Sequence, residues 1–163
     1  MNLDAVTSFF TSVSVDLIVI VGFVLVCAIY AARMGVNLPI SIAIGLPLTQ
    51  FASALMIGSV FVGTLSDPTS ESALQTGLFI GTAVLLIGLV HRMTSAYGDL
   101  NPSFPLAILT GVATMTVVID VWVETPALSV LWQFGPSIQS IFAESYRLWW
   151  FLGAYLALAF VRS

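Results

Sequence analysis

The chain consists of five long runs of apolar residues separated by short polar stretches. The runs cover residues 15–32, 38–65, 72–90, 104–123 and 138–161. About twenty apolar residues of α-helix cross a hydrocarbon core of about 30 Å, and every run approaches or exceeds that length. Leu17-Ile18-Val19-Ile20-Val21 and Val84-Leu85-Leu86-Ile87 are apolar at each position. A membrane β-strand would alternate apolar and polar residues. Unbroken apolarity instead requires a segment that pairs its own backbone groups, and in lipid that segment is a helix. The pattern therefore predicts an all-α, polytopic transmembrane helical bundle of four to five membrane helices, with residues 1–163 forming a single membrane domain. Glu144 and Arg147 lie inside the last run. Two threadings follow: five spans, or four spans with residues 138–161 re-entrant or lying on the surface.

Punctuation between the runs agrees with this division. Asn37 and Pro39 are expected to open the second helix as cap and early-turn residues, and Ser103 with Pro105 the fourth. Ser66-Asp67-Pro68-Thr69-Ser70 and Tyr97-Gly98-Asp99-Leu100-Asn101-Pro102 are turn segments. Residues 1–14 contain Asp4 and no Lys or Arg, so they lack the positive region of a cleaved signal peptide. Phe9, Phe10 and Val13 would line one side of a short interfacial helix; a disordered leader is the alternative.

Composition sharpens the picture. Hydrophobic residues make up 59% of the chain and charged ones 7%, too little charge to cover a water-soluble domain. The bilayer is thus the first partner. All four cations are arginines: Arg33 follows the first run, Arg92 (beside His91) the third, Arg162 the fifth, and Arg147 lies within the fifth. If every run spans, the three end arginines share one side, which the positive-inside rule makes cytoplasmic. Asp4, Asp16, Asp67, Glu71 and Glu124 gather on the other side, and Asp99 departs from that pattern. This threading puts the amino terminus outside and the carboxyl terminus in the cytoplasm. Trp122, Trp132, Trp149 and Trp150 would form an aromatic belt at the outer interface.

Four polar residues within the runs are candidates for function or pairing. Asp120 and Glu124, four residues apart, share a helix face. Paired carboxylates in a membrane helix mark proton or cation paths, yet these lie near the helix end, where facing outside water is the preferred reading. Arg147 can pair locally with Glu144, three residues before it, but the preferred reading is a bridge to a carboxylate that fixes the fifth helix to the fourth, with Glu124 the favoured partner over Asp120. Pro47, Thr49 and Gln50 interrupt the second run near mid-membrane. A transporter site can be built on such a break; a kinked packing helix, with Thr or Gln side chains replacing the lost backbone bond, is preferred.

Small residues mark packing faces. Ala73, Gly77 and Gly81 recur every four residues, and Gly77-Leu78-Phe79-Ile80-Gly81 is a GxxxG. Internal helix packing is preferred over contact with a second copy. Ser41 with Gly45, and Thr110 with Thr114, offer similar narrow faces. No catalytic, cofactor-binding or metal residues are expected. The absence of lysine excludes a Ser/Lys dyad and a retinal Schiff base, and one histidine, His91, makes no triad or multi-histidine site. Cys27 alone forms no internal disulfide. A net charge of −4 argues against nucleic acid.

The overall plan resembles the colicin V production protein family of small bacterial inner-membrane proteins. Asp16-Leu17-Ile18-Val19-Ile20-Val21 is similar to the family's start. Arg33 and Gly35 in Ala32-Arg33-Met34-Gly35 stand at its first helix's end, and Gly77 to Arg92 followed by the helix around Gly111 matches its order. Ser145 in Glu144-Ser145-Tyr146-Arg147 occupies roughly the place of a serine near the family's carboxyl end. The chain departs in its longer leader, in one basic residue rather than two after the first helix, and in having no Lys or Arg near Gly111. The resemblance implies a helical inner-membrane protein linked to toxin production or export and envelope maintenance, with no established enzymatic reaction, and a non-enzymatic envelope scaffold is the first expectation. A small channel or transporter using Gln50, Asp120 and Glu124 is the second expectation. A subunit of a larger complex, with itself or another membrane protein, is the third.

Overall fold

The structure is a computed structural model and describes residues 14–57, 71–96, 98 and 101–162. The expected leader and residues 58–65 of the second run lie outside the described residues. Four long helices are α1 (Val15–Met34), α2 (Asn37–Ile57), α3 (Glu71–Ser95) and α4 (Phe104–Glu124). Two short ones, α5 (Pro126–Ser129) and α6 (Pro136–Ile141), lead into α7 (Glu144–Arg162). There is no strand among the described residues.

Helices α1 to α4 are each long and apolar enough to cross a membrane, whereas α7 does not meet that test. The chain is a helical membrane protein. Its fifth run differs from expectation: Phe142 and Ala143 break it, so α6 is a separate turn and α7 starts afresh at Glu144. Even so, α7 extends about 28 Å at 1.5 Å per residue and runs back along α4. It is two-faced. Ala154, Leu158 and Val161 are buried, while Leu148, Leu152, Leu156 and Phe160 are exposed, a spacing of three and four that separates the faces of a helix.

Helix α4 is the centre of the bundle and packs against α1, α2 and α7. Two close crossings set the geometry. A methyl group on Gly111 would lie 2.5 Å from the carbonyl oxygen of Val24, so α1 meets α4 backbone to backbone. One on Gly45 would lie 2.7 Å from Cγ1 of Ile87, where α2 crosses α3. Thr110 and Thr114 are fully buried, as is Ser41. Thr110 spends its hydroxyl on Leu106 O within its own helix, while Ser41 bonds Asn37 O and lies 3.1 Å from Thr94 Oγ1 on α3.

The GxxxG stripe behaves otherwise. Added methyls at Gly77 and Gly81 would meet nothing within 4 Å, and both glycines are exposed. The expected internal packing through them is therefore absent among the described residues. Their neighbours on that face belong to a shallow groove that also touches Ala52 and Met56; shape at Gly45, not the motif, decides where α2 and α3 touch.

Nor is α2 broken at Pro47. The helix continues through it. Proline lacks the N–H that would have bonded the Ala43 carbonyl four residues earlier, and the Tyr155 hydroxyl of α7 donates to that carbonyl at 2.8 Å. The replacement comes from another helix rather than from Thr49, whose hydroxyl bonds Gly45 O. Asn37 also differs from its expected capping role. It is the first residue of α2, and its side-chain amide donates to Gly98 O, tying the α3–α4 connection to the start of α2.

Candidate functional site

The polar residues of the apolar runs converge at the end of the bundle where α4 stops. Helix α1 begins there, and Asp16 in its first turn accepts from the Gly135 N–H at 2.7 Å and from Trp132 Nε1 at 3.2 Å. The Trp122 indole donates to Trp132 O, and that of Trp150 to Ile141 O. Three of the four tryptophans thus close the segment between α4 and α7. Asp16, read from the sequence as one of the outer-side acids and as the start of the first helix, is the anchor of this segment.

Arg147 sits one turn into α7 and reaches two carboxylates of α4. Its Nη1 is 2.6 Å from Glu124 Oε1, and its Nε is 3.6 Å from Asp120 Oδ1. Spacing explains the double reach, since residues four apart stack on one helix face. The two acids differ in surroundings. Glu124 is 38% exposed, consistent with an interfacial position, whereas Asp120 is 1% exposed. The expectation that Asp120 faces outside water is overturned: its side chain is enclosed within the bundle, with Arg147 of α7 beside it. Neither oxygen of Asp120 has a hydrogen-bond partner among the described residues, and Arg147 Nε has none either. Their attraction is Coulombic across a gap.

Beside this ion pair lies a cavity of about 310 Å³ between α2, α3 and the α4–α5 junction. That volume falls at the lower end of small-molecule sites, about 300–1,000 Å³. Gln50 and Ser53 line it from α2, Gln75 and Phe79 from α3, and Glu124 with Thr125 from the end of α4. The Thr76 hydroxyl donates to Ala127 O at 2.9 Å and holds α5 against α3, which shapes the floor. Of the sequence candidates, the structure brings Gln50 and Glu124 to this cavity and sets Asp120 and Arg147 beside Glu124. Gly77 and Gly81 are on another face. Ser53, Gln75 and Phe79 were not anticipated. Gln75 carried a signal, being an amide in an apolar run; Phe79 carried none.

Among the described residues no group of three or more His, Cys, Asp or Glu side chains is arranged to hold a metal. Comparison with known protein families, with curated proteins and with solved structures finds no match.

Proposed function

We propose that this chain is a non-enzymatic scaffold of the cell envelope, threaded with the amino terminus outside and the carboxyl terminus in the cytoplasm. The observation that carries the reading is the Arg147 clamp. A carboxylate buried in an apolar bundle is expensive, and here buried Asp120 and partly exposed Glu124 both face one guanidinium that ties the terminal helix to the central one. An ion pair that joins the terminal helix to the central one supports the reading of a stiff frame. The threading is supported by Arg33 and Arg92 in the last turns of α1 and α3, opposite the end that carries Asp16 and Glu124. The resemblance to the colicin V production protein family supports an inner-membrane location and a part in toxin export or envelope maintenance.

Reconstitution into liposomes tests the proposal. The scaffold is expected to carry no flux of protons or small solutes above that of empty vesicles. Reproducible flux that disappears in Asp120→Asn would refute it and favour a small channel or transporter, the second reading, for which the Gln50–Glu124 cavity is the supporting observation. A reporter fused after Ser163 should behave as cytoplasmic.

A further inference from the structure

The cavity beside the clamp has a chemical bias that the scaffold reading does not use. The Ser53 hydroxyl donates to Gln50 O at 3.0 Å, and that of Thr125 to Val121 O at 2.7 Å. A hydroxyl has one proton and two lone pairs. With both protons committed to the backbone, Ser53 and Thr125 can only accept from anything in the cavity. Glu124 also lines it, and as a carboxylate it accepts only. Arg147 takes its Oε1. The Gln50 side-chain amide is without a partner among the described residues, although it is half-buried between apolar helices.

The set is therefore rich in acceptors, and beside it two carboxylates, Glu124 and Asp120, face a single guanidinium, which leaves an excess of negative charge. Ala54, Phe79 and Pro126 add apolar lining to the same cavity. A ligand that matches must donate several hydrogen bonds from a positive head and carry a short apolar body. We infer that the cavity binds a primary ammonium group, Glu124 and the Ser53 and Thr125 oxygens accepting its N–H bonds while Phe79 borders the attached carbon chain. An anion would meet the Glu124 carboxylate, and a quaternary ammonium would leave the acceptors unpaired. Near a membrane surface this group has two sources, a free amine or the head of an aminophospholipid.

Calorimetric titration of the full chain in nanodiscs separates them. In discs of phosphatidylcholine alone, 2-phenylethylammonium is expected to bind saturably. Its trimethylated analogue should bind at least tenfold more weakly. Glu124→Gln and Gln50→Leu should each weaken the amine at least tenfold. Ser53→Ala, which leaves the clamp untouched, should weaken it about threefold. Only variants with the wild-type unfolding midpoint are compared. If the free amine does not bind, yet phosphatidylethanolamine is retained through purification and lost in Gln50→Leu and Ser53→Ala, the lipid head is the ligand. The inference is overturned if neither source binds, if Gln50→Leu and Ser53→Ala bind as the wild type does, or if the trimethylated analogue binds equally well. Because this is equilibrium binding, its outcome is independent of the flux measurement.

Discussion

Arg147→Leu removes the positive charge between two carboxylates, and the structure makes their shares of the loss unequal in an unexpected direction. Glu124 is nearer, at 2.6 Å against 3.6 Å for Asp120. Distance alone would make it the stronger partner. Exposure reverses the order. For Asp120, an effective dielectric of about 20 gives a gross attraction of about 4.6 kcal/mol at that separation. For Glu124, a value closer to that of water gives about 1.6 kcal/mol. Desolvation offsets much of the first figure, but losing one partner of a buried pair still costs about 3–5 kcal/mol, because the other charge is stranded. Exposed pairs are worth about 0.2–1 kcal/mol. With Arg147 itself 23% exposed, Arg147→Leu should cost about 3 kcal/mol by the lower end of that range.

The assay is a pair of double-mutant cycles in mixed micelles, unfolded with a denaturing detergent and followed by tryptophan fluorescence. Adding Asp120→Asn to Arg147→Leu should recover about 2 kcal/mol, since the stranded charge is gone. Adding Glu124→Gln should recover less than about 1 kcal/mol. A coupling to Glu124 equal to or larger than that to Asp120 would refute the claim that burial outweighs distance. Strict additivity in both cycles would refute the clamp.

Two further outcomes follow from the helix crossings. Gly111→Ala forces backbone apart at Val24 and should destabilise by about 2 kcal/mol, whereas Gly77→Ala and Gly81→Ala enter open space and should be neutral or stabilising by up to about 1 kcal/mol; thermal unfolding in detergent checks this, and a neutral Gly111→Ala would count against the close α1–α4 contact. Tyr155→Phe should cost about 1 kcal/mol through the bond lost at Ala43. In a Pro47→Ala background the restored backbone N–H serves that carbonyl, so the same substitution should cost almost nothing; an equal cost in both backgrounds would show that Tyr155 does not replace the missing bond.

What the residues determine alone is the medium and the elements. Unbroken apolar runs can satisfy their backbone in lipid only as helices, so α1, α3 and α4 begin and end within a few residues of the pattern's limits. The partnership of Arg147 with a carboxylate was legible for a similar reason: a cation in an apolar helix needs a counter-charge, and few acids were near enough in the threading. Which glycines pack was not legible. Gly77 and Gly81 have the motif, but Gly45 and Gly111 have the neighbours, because a close approach depends on how two axes cross and not on spacing along one. Asp120 is buried for the same cause. A residue one turn from a helix end faces water or protein according to what covers that turn, and here the bundle encloses it, with Arg147 of α7 alongside. The Tyr155–Ala43 bond and the acceptor-rich cavity likewise join residues 112 and 74 positions apart, Tyr155 with Ala43 and Glu124 with Gln50; only the packing of α2 against α3, α4 and α7 brings them together.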